Sequence, residues 1–293
     1  MIVVTTPTGQ IGASLLPRLI QANAEVRVIA RDPSKLPTDV RERVDVVEGS
    51  HRDLPVLSAA LDGADALFLV VPPGFEDAGA HFRYLDFART AITAVKEHHV
   101  PRVVGVTSAG HDWTGKAGLL SAAFAMDTAI RESGVAYRAL SMPWFMENLL
   151  NQAGPIRESG LLSMGYTAER VLPSIAAQDV AAVAAALLLD LTWTGQENVP
   201  VFGPDRLTPV QMAKIISQVL RRPVEYVPVE LNAIAARFTG RGSPQVVADD
   251  MTQMIEAQNT GIYDTDVATA SPSETSFQAW VETVFKPAFD SAA

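Results

Sequence analysis

The sequence predicts an α/β fold: a doubly wound parallel sheet followed by a smaller C-terminal α/β region. Two observations carry this. The chain opens on Met1-Ile2-Val3-Val4-Thr5, a β-branched run that leads within a few residues into Thr8-Gly9-Gln10-Ile11-Gly12. Ile11, Leu15, Leu16, Leu19 and Ile20 follow at helical spacing. Strand-like and helix-like patterns then alternate through the first half, and strands joined by helices imply parallel strands with right-handed crossovers.

Taken in order, Ile2–Thr5 reads as a strand, Gln10–Ala22 as a helix, Glu25–Ala30 as a strand and Val44–Glu48 as another. Leu54–Leu61 reads as a short helix ending near Gly63. Ala66–Val71 is a continuous apolar run stopped by Pro72-Pro73, the pattern of a strand buried on both faces. Phe82–Glu97 is a long helix, Arg102–Thr107 a strand, Leu119–Ser133 a helix stopped by Gly134, and Tyr137–Ser141 a sixth strand. From about Met142 the rhythm loosens, with Pro143, Pro155, Gly160, Gly165 and Pro173 punctuating short pieces. Gln178–Leu191 and Pro209–Leu220 read as helices, Val199–Phe202 and Val224–Pro228 as strands, and Phe277–Phe289 as one amphipathic tail helix. Residues 1–142 are expected to form a dinucleotide-binding domain, and residues 143–293 a smaller substrate-side region partly interleaved with it.

Composition narrows the function. With 293 residues, 48% hydrophobic and 19% charged, the chain is long enough for one large core or two unequal ones. A net charge of -10 argues against a nucleic-acid surface, because phosphate contacts need clustered Lys and Arg. Zero cysteines remove disulfides, thiolate nucleophiles and Cys-based metal sites. The strand-like start predicts that no signal or transit peptide precedes the fold. The apolar run Val180–Leu189 is far shorter than the roughly 20 residues a membrane span needs. A cytoplasmic protein is expected, monomer or homodimer, with a small-molecule acceptor as partner and neither nucleic acid nor membrane.

Strand, glycine turn and helix in succession is the setting that makes a short glycine motif a dinucleotide site. Gly9 would let the backbone approach a pyrophosphate, and Gly12 would let the helix pack closely on the strand. The helix start would offer its N–H groups and partial positive charge to the phosphates. Thr6 stands where a first glycine usually makes the tight turn. The second strand ends in Arg31-Asp32-Pro33-Ser34-Lys35. An acidic residue directly at this end binds a ribose 2′-hydroxyl, whereas an Arg accommodates a 2′-phosphate. Arg31, assisted by Lys35, therefore favours NADP(H) over NAD(H), although Asp32 would repel the phosphate unless it points away. Thr107 and Ser108, at a strand end that opens onto the same crevice, either hydrogen-bond a ribose or nicotinamide or cap the next turn.

Further segments extend the pattern: Ala59-Ala60-Leu61-Asp62-Gly63-Ala64-Asp65-Ala66, Arg102-Val103-Val104-Gly105-Val106-Thr107-Ser108 and Ile130-Arg131-Glu132-Ser133-Gly134-Val135. The most specific are Pro143-Trp144-Phe145-Met146-Glu147-Asn148 and Gln178-Asp179-Val180-Ala181. Over nearly its whole length the chain resembles the NmrA-like branch of the atypical short-chain dehydrogenases, among them NADPH-dependent quinone and dye reductases and NmrA-like redox sensors. The resemblance implies an NADP(H)-binding Rossmann domain and a compact C-terminal substrate domain. It places the cofactor loop at Thr6, Thr8, Gly9, Gln10, Ile11 and Gly12, the phosphate-selecting residue at Arg31, and further cofactor contacts at Val71, Pro72 and Pro143.

One departure bears on chemistry. Carbonyl-reducing short-chain dehydrogenases use a Tyr-x-x-x-Lys pair as proton donor. Here Tyr84, Tyr137, Tyr166, Tyr226 and Tyr263 all lack a Lys four residues later, and the family alignment puts Leu119 and Ala123 where the pair would stand. One option is direct hydride transfer from NADPH to an electron-poor acceptor such as a quinone or dye, whose electrophilicity makes a dedicated acid less necessary. The alternatives are a non-catalytic NADP(H)-binding sensor and a tailoring reductase of specialised metabolism. No catalytic residue is assigned. His81, Tyr84, His111, Trp113, Trp144 and Phe145 are candidates for lining a pocket for a flat acceptor. Core packing is the competing role for Trp144 and Phe145, more so for Phe145. No two of the five histidines have helical ligand spacing, which argues against zinc, and no Gly-x-Ser-x-Gly elbow is present.

Overall fold

The computed structural model describes residues 1–72, 74 and 79–291. In chain order the elements are β1 (Ile2–Thr5), α1 (Gln10–Gln21), β2 (Val26–Ala30), α2 (Thr38–Arg41), β3 (Asp45–Glu48), α3 (Leu54–Leu61), β4 (Ala66–Leu69) and α4 (Ala80–Glu97). Then come β5 (Arg102–Ser108), α5 (Leu119–Glu132), β6 (Ala136–Met142), β7 (Trp144–Phe145), α6 (Ala153–Ser159), β8 (Leu161–Met164), β9 (Ser174–Ile175) and α7 (Ala177–Leu189). The chain finishes with β10 (Gln196–Pro200), α8 (Pro209–Leu220), β11 (Glu225–Pro228), α9 (Leu231–Gly240), α10 (Gln245–Thr260), α11 (Asp264–Thr269), α12 (Phe277–Trp280) and α13 (Lys286–Ser291).

Two compact units result. The first comprises Met1–Ser108, Leu120–Ser141 and Val180–Val199; the second comprises Ala109–Leu119, Met142–Asp179 and Pro200–Ala293. The first is built on a seven-stranded sheet in the order β10-β6-β5-β4-β1-β2-β3, the Rossmann-like architecture. β1 pairs in parallel with both β2 and β4, so the strand order reverses between β1 and β4. In such sheets the reversal opens a crevice at the carboxyl ends of the strands, and ligands bind there. Val3 and Val4 of β1, and Leu67 and Phe68 of β4, are fully buried because helices cover both faces.

The apolar run of the fourth strand outlasts its ladder. β4 stops at Leu69, where the Val70 amide donates to Thr5 Oγ1 (2.9 Å) rather than to a neighbouring strand. Pro73, the second half of the expected stop, lies outside the described residues.

The second unit is held by a separate core around Trp280, Phe277, Phe285, Met146, Leu162 and Ile216. Its strands are short parallel pairs, β11 with β8 and β7 with β9. The strand expected at Val199–Phe202 lies earlier, at Gln196–Pro200; Val201 and Phe202 are buried instead, and Phe202 makes a lone bridge to Pro272. The expected single tail helix is interrupted. Val281–Phe285 forms a π-helical stretch between α12 and α13. Pro287 explains this, since it has no N–H to give and its ring clashes with the carbonyl one turn back. Among the described residues no helix is long and apolar enough to cross a membrane.

Candidate dinucleotide site

The turn from β1 to α1 is tight because three residues cooperate. Thr6 adopts the left-handed conformation (φ +52°), which a β-branched residue takes only at a cost of roughly 1–3 kcal/mol. Its hydroxyl offsets part of that by donating to Val70 O at 3.0 Å. The Gly9 amide then closes the turn onto Thr6 O (3.1 Å). Gly12 faces the same segment: a Cβ there would lie 2.3 Å from Thr6 O and 2.9 Å from Pro7. Close packing by Gly12 is thus against the turn, rather than against the strand as expected. Gly9 is tight but less absolute, with a Cβ falling 3.3 Å from Thr6 Cγ2.

Gly9 is the N-cap of α1, no side chain caps the helix, and its first turn holds no acidic residue. Those first N–H groups and the positive end of the helix dipole are what a pyrophosphate requires. Thr8 and Gln10 are exposed beside them, while Ile11 turns into the core.

A cavity of about 200 Å³ opens next to this turn. Thr6 and Pro7 bound it on one side, Ile29–Arg31 at the end of β2 on another, and Gly49–Arg52 after β3 on a third; Pro72, Arg83 and Phe87 complete it. Three guanidinium-bearing residues line it, with no carboxylate among the described lining residues. Asp32, whose charge would repel the phosphate unless it points away, is not among the residues that line the cavity. Its Oδ1 caps a turn by accepting from the Ser34 amide (3.1 Å) and hydroxyl (2.6 Å), and these bonds hold the carboxyl below its usual pKa. Lys35 stands 3.8 Å from the same carboxylate and is not among the residues lining the cavity.

His51 forms the floor. It is buried, its ring lies 4.6 Å from that of Phe87, and Nε2–H donates to Val70 O at 3.0 Å. Thr6 and His51 therefore converge on one carbonyl, tying the glycine turn to the loop after β3. Desolvation pushes the His51 pKa down to about 4, and the Arg31 charge adds to the shift, so the imidazole is neutral near pH 7. Arg52 pairs with Asp86 of α4, and its carbonyl accepts from Thr90 Oγ1 (3.1 Å). Arg83 lies over the Phe87 ring.

Sequence reasoning found Arg31, Thr6 and Pro72 but missed Gly49–Arg52 and Arg83. The loop after β3 carries no motif, and Arg83 is one charge among several on a long helix. The available signal was positional, since Ser50-His51-Arg52 follows directly on a strand of the same sheet. Val71, expected at the cofactor, is buried in the hydrophobic core of the first unit. Thr107 Oγ1 donates to Ala123 O of α5 (3.4 Å), so its hydroxyl serves the strand-to-helix junction; Ser108 beside it is buried.

The candidates for an acceptor pocket divide between the units. His81 and Tyr84 belong to the first, and Tyr84 packs against its core, where burial raises the phenol to about 12. His111, Trp113, Pro143, Trp144 and Phe145 belong to the second. The core roles of Trp144 and Phe145 are the reverse of expectation. Trp144 is buried edge-on to Tyr166 (6.3 Å between centroids), whereas Phe145 is half-buried.

Glu147, Gln178 and Asp179, from the two most specific sequence segments, make polar contacts within the second unit. Glu147 Oε1 accepts from the Ala177 amide (3.0 Å) and Trp280 Nε1 (3.1 Å), and burial raises its pKa. Asp179 accepts from Ser273 Oγ, Thr275 N and Thr275 Oγ1, at 2.6, 3.0 and 2.6 Å, and Gln178 donates to Thr275 Oγ1.

A doubly wound sheet with an uncapped helix N-terminus at its switch point and a cationic cavity beside it defines a dinucleotide-binding Rossmann protein. The comparisons agree. A family model described as NAD(P)H-binding matches residues 7–191. An NAD(P)H azoreductase of Xenophilus azovorans is 31% identical over 262 residues, 87% of this chain and 86% of that one. Quinone oxidoreductase 2 of Escherichia coli is 25% identical over 90% of each chain. The crystal structure of that quinone oxidoreductase with NADPH superimposes with a TM-score of 0.77 over 97% of this chain and all of the other; at 22% identity it speaks for the fold. The chain belongs to the NAD(P)H-binding, NmrA-like family of atypical short-chain-dehydrogenase-type oxidoreductases.

Proposed function

We propose that this chain is an NADPH-dependent reductase that passes hydride directly to an electron-poor acceptor of the quinone or dye class. The observation that carries the cofactor choice is the cavity at the end of β2. Arg31 lines it, and Asp32, which would oppose a 2′-phosphate, is engaged with Ser34. The uncapped α1 N-terminus would hold the pyrophosphate, and Gly12 keeps the turn close enough for it to do so.

When bound, NADPH supplies the hydride. The acceptor class rests on the sequence: no Tyr carries a Lys four residues later, and the family resemblance puts Leu119 and Ala123 of α5 about where that pair would stand. A ketone reduced there would generate an alkoxide with no side-chain acid in that place. A quinone takes the hydride and one solvent proton to give a hydroquinone, whose oxygens are far less basic than an alkoxide. Similarity to relatives named as an azoreductase and a quinone oxidoreductase supports the same class.

The test is NADPH oxidation against a panel of quinones, azo and other dyes, and simple ketones, with NADPH and NADH binding measured alongside. Turnover with quinones or dyes and none with ketones is expected. NADPH binding without oxidation by any acceptor would favour a non-catalytic sensor. Ketones reduced as fast as quinones would overturn direct transfer.

A further inference from the structure

The four tryptophans of the chain differ in one respect. Trp193 Nε1 donates to Leu187 O (2.8 Å), Trp280 Nε1 donates to Glu147 Oε1 (3.1 Å), and Trp144 bonds to the Tyr166 side chain. The Nε1 of Trp113 is buried and, among the described residues, makes no hydrogen bond. Native proteins rarely leave a buried N–H unpaired, because its lost hydration is not replaced. Such a donor calls for an acceptor brought to it.

Trp113 stands on a segment held at both ends. Residues 109–119 follow directly on β5, at the carboxyl end of a strand parallel to β4. Strand ends of this kind are where doubly wound sheets take their ligands. At the start of the segment the Gly110 amide bonds to Asp266, and a Cβ on Gly110 would lie 2.4 Å from Ile262 Cγ1. Near its end, a Cβ on Gly118 would lie 1.9 Å from Asp250 O. Between these close approaches the Trp113 amide donates to Gly110 O (3.0 Å), which closes a turn. The N–H edge of the indole abuts Gly115, an exposed residue on which a Cβ would lie 2.8 Å from Nε1. The donor is thus covered by a residue without a side chain, on a backbone pinned on either side.

We propose that Trp113 donates its indole N–H to an oxygen of a quinone acceptor, and so biases the protein toward acceptors that carry oxygen. The proposal rests on the reductase reading above and names a residue that touches the acceptor. A quinone that takes hydride from NADPH gains one bond to hydrogen and one negative charge. That charge is carried on oxygen until a solvent proton completes the hydroquinone, and the cofactor is left as NADP⁺. An indole N–H is a donor only, so it can hold the charge where no side-chain acid is present. Its bond strengthens as the charge develops, which is the condition for raising kcat rather than only lowering KM. A cationic triphenylmethane dye is the opposite case. Hydride adds to its central carbon and cancels a positive charge, so no oxygen needs a donor.

Steady-state reduction of 1,4-naphthoquinone and of crystal violet by the parent and by Trp113→Phe tests this, with NADPH affinity measured by calorimetry. Phenylalanine retains an aromatic ring and removes the donor. Trp113→Phe should lower kcat/KM for naphthoquinone by about ten- to a hundredfold, mostly through kcat, the worth of one hydrogen bond to a charged group. Crystal violet reduction and NADPH affinity should stay within about twofold. Gly115→Ala retains the indole but crowds its N–H, and should act in the same direction by a smaller factor. The indole N–H resonance of Trp113 adds a readout independent of turnover, assigned by its loss in Trp113→Phe and its shift in Gly115→Ala. It should move downfield when 1,4-dihydroxynaphthalene is added anaerobically to the NADP⁺ complex, as an N–H does on gaining an acceptor oxygen.

Equal losses for naphthoquinone and crystal violet in Trp113→Phe would overturn this role, since they would report damage to the segment rather than loss of a donor. Unchanged naphthoquinone reduction in that variant, or an unmoved indole resonance in the parent, would also overturn it, and the reductase reading would stand. A parent that reduces crystal violet but not naphthoquinone would have the same consequence. NADPH oxidation by neither acceptor would bring down the reductase reading itself, and the role of Trp113 with it.

Discussion

The two units of this chain solve the problem of folding in different currencies. The first is periodic: β-branched strands alternate with amphipathic helices, and its core is mostly aliphatic, with Phe87 and Tyr137 among its few rings. The second is irregular, with two-residue strands, a π-helical stretch and a core rich in aromatic rings. It is pinned by buried polar clips, Asp179 to Ser273 and Thr275, Glu147 to Trp280, and Tyr166 through Gln258 to Tyr263. Where backbone ladders are short, side-chain hydrogen bonds fix the chain path. Each such bond contributes modestly, but leaving a buried partner unpaired costs more. The first unit should therefore be sensitive to backbone space and the second to single polar groups.

The largest effect is expected where the first unit has no space at all. Gly12→Val puts a branched side chain where even a Cβ would lie 2.3 Å from Thr6 O. Because the obstacle is backbone, the turn must move, at a cost of roughly 3 kcal/mol or more. Chemical denaturation should show that loss, and NADPH binding should vanish with it. Retained binding would mean that the turn does not hold the cofactor.

Next is the clip of the second unit. Asp179→Ala strands two hydroxyls and an amide, and should cost roughly 2–4 kcal/mol. Three of the four tryptophans, Trp113, Trp144 and Trp280, lie in this unit, so fluorescence-monitored urea unfolding reports on it. NADPH affinity should change by less than about threefold, since 1.4 kcal/mol is needed for a factor of ten. A stability loss below 0.5 kcal/mol, the usual range of surface changes, would show that the clip is not structural.

Acid separates the units by sign. His51 has a folded pKa of about 4 against 6.5 for the free side chain, so the unfolded chain binds its proton first as pH falls. Its contribution is complete above pH 6.5 and is lost on the way down to about 4, up to roughly 3 kcal/mol. Glu147 is shifted the other way: its folded pKa is raised, so the folded chain takes the proton first and stability rises as pH falls through that value. His51→Gln should flatten the acid loss, whereas Glu147→Gln should remove the opposing gain and steepen it. Stability measured across pH 4–7 in the two variants checks both signs. A shared direction would break the contrast.

The same contrast explains what the sequence could convey. Leu54–Leu61 and Pro209–Leu220 were read to the residue, because Pro near the first position and a clear apolar face mark them. The glycine turn and Arg31 were legible because their function depends on local spacing. His51, Arg52 and Arg83 were not, since the cavity is assembled by the parallel sheet from loops and a helix far apart in sequence. Helices α9 and α10 gave no clear pattern: α9 buries no residue completely, and its half-buried Leu231, Ile234 and Phe238 are too sparse to read as a face. Trp144 and Phe145 were exchanged in role because adjacent residues on a strand point to opposite sides, and nothing local says which side is the core.

The central claim is that the cavity at the end of β2 selects a 2′-phosphate, and the direct measurement is the affinity of the parent and of Arg31→Ala for NADPH and NADH. Arg31 would make a charge-assisted contact of roughly 1.5–3 kcal/mol. NADPH binding should therefore weaken by about one to two decades in Arg31→Ala, with NADH nearly untouched. Equal weakening of both cofactors, or no weakening of either, would contradict the account.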